Sequence, residues 1–427
     1  MARRRVARRL TSLSVAYDVV AVRAQYPALA DGRAWLDGAA GTQVPAAVIE
    51  AMSGVLAAGV GNQGGRFAAS RRAGEIVTQA RAAVADLVGV ADPSGVVFGR
   101  SMTALTYRFA AGLSAGWRPG EEIVVTQLDH DANIRPWMQA AAAAGVRVRM
   151  AQLDPATGTL PADAVTGLIT DATRLVAVTA ASNLLGTIPD VPTIAAVARA
   201  AGALTYVDGV HHCPHARVDV TGLGADLYVT SAYKWAGPHL AAMIAADPAV
   251  LAAIPAANLE PAPDTVPERF ELGTNPFEAL AGVTAAVDHL ATLDGAATGD
   301  RRARLLRSRA SAVGHEQRLC AVLVDGLRAT PGVRLLGPGP QEARTPTVSF
   351  LVQGCAPVDV AVALDAAGVN AWHGHSYAWE ATGALGIRDS GGALRLSINH
   401  YNDESDVERA LAAVAALVRA KGREQLP

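Results

Sequence analysis

Short β-branched, apolar runs alternate with alanine-rich stretches of helical length through the first two thirds of the chain. No other feature limits the fold as strongly. Residues 96–98, 123–126, 146–150, 175–179, 204–207 and 227–230 read as buried strands. Residues 74–87, 103–115, 132–144 and 191–201 read as the helices between them. Strands that are apolar throughout, joined by helices, predict a mostly parallel sheet covered on both faces. In open sheets of this kind ligands bind at the carboxyl ends of the strands, where Asn183, Asp208 and Ser231 fall.

The pattern changes beyond about residue 257. A loop with Pro261, Pro263 and Pro267 leads to helical stretches at 277–293 and 301–327, the second rich in arginine. Strand-like runs follow at 333–336, 348–352 and 394–398. A last helix, 406–421, sets Val407, Ala410, Leu411, Val414 and Leu417 on one face at the 3.6-residue period. The 427 residues suit two units at about 150 or more residues each. The expected division is a disordered basic tail at 1–15, a large domain at 36–274, and a small α+β domain built from 16–35 together with 275–427.

Composition narrows the function. A formal net charge of −2 gives no reason to expect a nucleic-acid partner. The richest apolar stretch, 240–257, is broken by Asp247, Pro248 and Pro255, short of the about 20 residues a membrane span needs. Five arginines stand in the first ten residues, and no apolar run of signal-peptide length follows, so a cytoplasmic location is expected. Cys213, Cys320 and Cys355 are too scattered for a disulfide framework or a zinc cluster.

The most informative segment is Tyr206-Val-Asp-Gly-Val-His-His, followed by Leu227-Tyr-Val-Thr-Ser-Ala-Tyr-Lys-Trp. One strand delivers Asp208 at its end, and the next delivers Ser231, Tyr233 and Lys234. A lysine in apolar surroundings can have its pKa lowered enough to form an imine with an aldehyde. An opposed aspartate can hold a pyridine nitrogen protonated, making the ring an electron sink. Ser231 and Tyr233 offer hydroxyls to a phosphate. Taken singly, an Asp or Lys at a strand end is more often a solvated loop residue; the ordered conjunction is what argues for chemistry.

This segment resembles the class V aminotransferase family of pyridoxal-phosphate enzymes, which includes cysteine desulfurases, selenocysteine lyases and isopenicillin N epimerase. The resemblance runs from about residue 17 to 419 and rests on several separate motifs. It implies the type I fold of these enzymes, with a large sheet domain and a small C-terminal domain. It also implies pyridoxal 5'-phosphate as cofactor, Lys234 as Schiff-base lysine and Asp208 as partner of the pyridine nitrogen. His211 then falls near the cofactor's phenolic oxygen. Phe98-Gly-Arg-Ser-Met-Thr matches the phosphate loop, so that Ser101, Met102 and Thr103 open a helix toward the phosphate. His130, in Asp129-His-Asp-Ala-Asn, falls where the family stacks a histidine on the cofactor ring. Asn183 is the asparagine of Ser182-Asn-Leu-Leu-Gly-Thr, which contacts substrate or cofactor. Thr274, in Phe270-Glu-Leu-Gly-Thr-Asn, implies a phosphate contact to a neighbouring subunit, hence a homodimer with shared sites. Arg395, in Leu394-Arg-Leu-Ser-Ile-Asn, would grip the substrate α-carboxylate in a bidentate fork.

The resemblance breaks at one loop. Desulfurases carry there a nucleophilic cysteine; the corresponding stretch is Trp372-His-Gly-His-Ser-Tyr-Ala-Trp, with Tyr377 at the cysteine position. His375 and Tyr377, with His373, are the loop's candidate acids. Asn62-Gln-Gly-Gly-Arg-Phe resembles the N-terminal active-site loop of a desulfurase-like subgroup lacking that cysteine. The expected activity is Cβ–S or other Cβ–X cleavage of an amino acid with a free α-carboxylate. Transamination and epimerisation on the same scaffold are the alternatives. A non-catalytic cofactor-binding protein is the alternative from another class, and it has no need of the imine lysine.

Overall fold

The computed structural model describes residues 17–339 and 342–424; the expected tail at 1–15 lies outside them. A seven-stranded sheet forms the centre of the large unit: β1 (Val96–Gly99), β2 (Glu122–Thr126), β3 (Arg147–Ala151), β4 (Thr173–Thr179), β5 (Leu204–Asp208), β6 (Leu227–Ser231) and β7 (Ala241–Ala245). Their order across the sheet is β1-β7-β6-β5-β4-β2-β3, and only β7 runs antiparallel to its neighbours. The helices that flank it include α1 (Ala46–Ala58), α2 (Ala68–Val88), α3 (Met102–Ser114), α4 (Arg135–Ala144) and α5 (Val191–Ala200).

The inner strands are largely apolar because both faces are buried; β3, expected as a buried strand, is instead the sheet edge, with Arg147 and Arg149 and only Ala151 buried. Ile123, Val125, Leu175, Ala177, Leu227 and Val229 belong to the core on one face. The alternate residues Val124, Val176, Val178 and Tyr228 belong to the core on the other. That two-residue period is the pleat of the strand, with a packed helical layer on each side.

Helix α6 (Phe277–Leu290) lies between the units. The expected division assigns it to the small domain, yet Leu280, Val283 and Val287 share the core of α1 and α2. A long helix α7 (Arg301–Ala329), capped by Asp300, leads to a four-stranded antiparallel sheet. Its strands are β8 (Val333–Leu336), β9 (Thr347–Val352), β10 (Trp372–Gly374) and β11 (Ala393–Ser397), in the order β10-β11-β9-β8. Helices α7, α8 (Pro357–Ala366) and α9 (Glu404–Glu424) pack on it through Leu319, Leu323, Val360, Leu364, Val407 and Val414.

The N-terminal segment crosses onto this second sheet. Ala34 and Trp35 pair in parallel with Val369 and Asn370, and Asp37 bridges to Ser397. The same segment therefore leads from the small unit straight into the cleft between the two.

Candidate active site

The strand order reverses between β2 and β4, and this is the crevice where open α/β sheets bind ligands. His130 follows β2 and Asn183 follows β4; Asp208 ends β5 and Lys234 lies one turn past β6. A close approach sharpens the Asp208 turn, because a Cβ at Gly209 would run into the Tyr228 ring. From the other edge β1 feeds α3, whose N-cap Ser101 accepts from Ala104 N at 3.1 Å. The free N–H groups of that first turn face the same cavity, which Ser101, Met102 and Thr103 line together with Ser231 and Tyr233.

Burial sets the charge states. Lys234 is depressed to about 7, chiefly by loss of solvent and then by the Arg395 charge, with Asp208 opposing. Its Nζ donates to the Ala39 carbonyl at 2.7 Å. Asp208 is raised to about 6 by burial, and its Oδ1 accepts from Val210 N at 2.9 Å. His130 is pushed down to about 3 by burial and by the Lys234 and Arg395 charges, so its ring is neutral. Its Nδ1 accepts from Ala132 N at 3.0 Å, which fixes the ring plane. His211 is held neutral by burial, its Nε2 lying 2.9 Å from Thr347 Oγ1. Arg395, lowered to about 10 by burial, stays cationic; its Nη1 donates to Asn183 O at 2.8 Å.

Four buried polar atoms here have no protein partner: Asn183 Oδ1, His211 Nδ1, Arg395 Nε and Ser376 Oγ. Buried polar groups are normally paired, so a cluster of orphans marks space for a polar ligand. A carboxylate, an amine of lowered pKa and a helix N-terminus converge on the inner cavity. That donor set fits a pyridine aldehyde carrying a phosphate, as pyridoxal phosphate does.

The outer cavity, of about 570 Å³, opens from the same residues toward Tyr107, Arg135, Trp372 and Tyr377. The loop from the small unit is docked over it. Asp131 N donates to Tyr377 O at 2.8 Å, Asn183 Nδ2 to Ser376 O at 2.8 Å, and Arg135 pairs with Glu380 at 2.8 Å. Ser376 and Tyr377 both sit at positive φ, +50° and +56°, without being glycine. Such backbone costs on the order of 1 kcal/mol or more per residue and persists where surrounding contacts hold it.

Most of the residues expected from sequence are thus brought together: Lys234, Asp208, His130, His211, Asn183, Ser231, Tyr233 and 101–103 around the inner cavity, Arg395 and Tyr377 around the outer one. His375 is not among them. Its ring is exposed, set edge-on to Tyr377 and Trp379, and its Nδ1 accepts from Tyr377 N at 3.0 Å. Thr274 lies apart, on a separate cavity with Arg100 and Arg108. Residues 62–67 line neither part of the cleft.

One contributor escaped the sequence reading. Residues 37–42 supply the Ala39 carbonyl, and Thr42 clamps the lysine turn: its N and Oγ1 donate to Tyr233 O at 2.9 and 3.0 Å, and Ala236 N donates to Oγ1 at 2.8 Å. The available signal was the run Gly38-Ala-Ala-Gly, whose small residues admit close approach; a Cβ at Gly38 would strike Asn399.

The family model described as aminotransferase class-V matches residues 34–410. An uncharacterized protein of Mycobacterium tuberculosis is 36% identical over 94% of this chain and 100% of its own length. A probable cysteine desulfurase of Pseudomonas aeruginosa is 34% identical over 92% of this chain and 96% of its own. The crystal structure of the cysteine desulfurase CsdA from Escherichia coli superposes with a TM-score of 0.82 at 27% identity, covering 95% of this chain and 99% of that one. The chain belongs to the aminotransferase class-V family, with the type I fold of its pyridoxal-phosphate enzymes. It is a pyridoxal-phosphate-dependent enzyme of cysteine desulfurase-like type. No described helix is long and apolar enough to cross a membrane.

Proposed function

We propose that the enzyme cleaves the Cβ–S bond of an amino acid with a free α-carboxylate and releases the sulfur fragment directly, without an enzyme persulfide. One observation carries this reading: no cysteine lines either part of the cleft, and Tyr377 stands at the loop tip. Cys213 is buried, its thiol raised to about 11 by loss of solvent. Cys320 is buried within α7.

Lys234, Asp208, His211, Ser231, Tyr233 and the first turn of α3 would hold pyridoxal phosphate, which would supply an electron sink for the pair left at Cα. The chain's own groups do the rest. Arg395 takes the α-carboxylate through the face its Nε leaves open, and Asn183 steadies Arg395 through its carbonyl. The Lys234 amine, poised near neutrality, accepts the Cα proton. The Tyr377 hydroxyl, on the loop that lines the outer cavity, serves as donor to the departing sulfur. Neutral His130 forms a flat wall opposite and excludes water. In this reading the small domain carries the loop that covers the substrate, and Thr274 reaches the phosphate of a second subunit in a homodimer.

The test is a panel of cysteine and S-substituted cysteines with the loaded enzyme, scored for released thiol or sulfide, pyruvate and loss of chirality. Stoichiometric thiol and pyruvate support the reading. Racemisation or keto-acid formation with no sulfur release would replace it with the epimerase or aminotransferase alternative.

A further inference from the structure

Resting on the C–S cleavage reading above, we infer that the outer cavity is a subsite for an uncharged aromatic group on the sulfur, so that the substrates are bulky S-arylmethyl cysteine conjugates. The volume of about 570 Å³ falls within the range of about 300–1,000 Å³ typical of pockets for drug-sized ligands. The sulfhydryl of free cysteine would leave most of it to water.

The walls define the chemistry. Thr103 and Tyr107 lie one helical turn apart on α3, so the same face that opens toward the phosphate end carries Tyr107 outward along the cavity. Trp372 faces it from β10, and Pro136 contributes a flat apolar surface. Tyr107 and Trp372 remain 43% and 48% exposed, covered by none of the described residues. Among the described residues lining this end, the cation Arg135 is already paired with two carboxylates. Its Nη2 lies 2.7 Å from Asp131 Oδ1 and 2.8 Å from Glu380 Oε1, and its Nε also donates to Asp131. That pairing disfavours a second carboxylate there, whereas the two rings lining the cavity suit a planar neutral group.

The reaction balances without an oxidant. The Cα–H and Cβ–S bonds break, the sulfur leaves with the Cβ–S electron pair and gains a proton, and water is consumed. S-Benzylcysteine thus gives benzyl thiol, pyruvate and ammonium.

The experiment compares S-benzylcysteine with S-methylcysteine in two ways. In turnover by the loaded enzyme, kcat/KM for the benzyl compound should exceed that for the methyl compound at least tenfold, and Trp372→Ala and Tyr107→Ala should each shrink that ratio toward one. In calorimetric titration of the inactive Lys234→Ala protein, with the cofactor held non-covalently, the benzyl compound should bind at least tenfold tighter, a difference that Trp372→Ala removes. Equal or weaker binding of the benzyl compound to Lys234→Ala overturns the subsite. Preferential binding with no cleavage of either compound keeps the subsite and overturns the C–S cleavage reading instead.

Discussion

The ring of Tyr377 stacks on His130, centroids 5.3 Å apart and planes 21° from parallel, so a small-domain loop residue lies directly against the histidine that walls the cofactor cavity. That contact joins the two parts of the cleft and sets Tyr377, itself largely exposed, at the mouth of the outer cavity. A proton donor to a leaving group contributes typically about 10²–10⁴-fold. Tyr377→Phe should keep the ring contact and lower kcat on S-alkyl cysteines by about 10²-fold with little change in KM. The loss should be smaller for S-aryl conjugates, whose thiolates leave without protonation. Equal losses for both leaving groups would remove Tyr377 from the acid role.

Cofactor loading should follow the Lys234 amine. Its pKa is lowered to about 7, and only the neutral form attacks an aldehyde. Raising pH through that value removes the proton, so the loading rate of the apo protein should rise about tenfold from pH 6 to pH 8 and then level off. Growth of the visible absorption band after mixing measures it, and Lys234→Ala should develop no such band. A rate still climbing steeply toward pH 10 would mean the amine is not depressed.

Arg395→Lys tests the carboxylate grip. The lysine keeps the charge but loses the planar fork, and a hydrogen bond to a charged group is worth about 1.5–3 kcal/mol. The expected result is a drop in kcat/KM of about ten- to a hundredfold, carried mostly by KM. Amines that lack the carboxylate should lose nothing, and steady-state kinetics on matched pairs gives the comparison.

The loop bearing Thr274 is anchored by a buried ion pair, Arg81 with Glu271 at 2.8 Å, and Glu271 also accepts from Phe98 N at 2.7 Å. Removing one partner of such a pair leaves the other charge stranded, which typically costs about 3–5 kcal/mol. Arg81→Ala should lower the urea midpoint accordingly, and Arg81→Met with Glu271→Leu should recover part of the loss. A change within about 0.5 kcal/mol for Arg81→Ala would show that the pair is solvated.

What the sequence discloses follows from how each part is built. The inner strands, such as 175–179 and 227–230, are readable because burial on both faces demands unbroken apolar runs. Strand β7 is not, since the alanines of Ala241–Ala245 carry no β-branched signature and merge into the wider apolar stretch 240–257. The edge strand Trp372–Gly374 and helix Ala46–Ala58 were likewise too short or too plain in pattern. In the site, Lys234, Asp208 and His130 act through side chains at strand ends, and sequence displays them. Ala39 acts through a backbone carbonyl, which any residue could offer, so its type says nothing. Tyr107 gains meaning only from helical register with Thr103. His375 reads as an acid by residue type, but the turn at Ser376 and Tyr377 brings Tyr377, not His375, to the cavity wall.

The most direct test of the central claim is thiol release from an S-substituted cysteine by the loaded protein with all three cysteines replaced, as Cys213→Ala, Cys320→Ala and Cys355→Ser. Sulfur that leaves without an enzyme persulfide should be released at a rate within a few-fold of wild type, provided the cofactor absorption band is unchanged. Loss of release with that band intact would contradict the account and make one of the three cysteines the acceptor of the sulfur fragment.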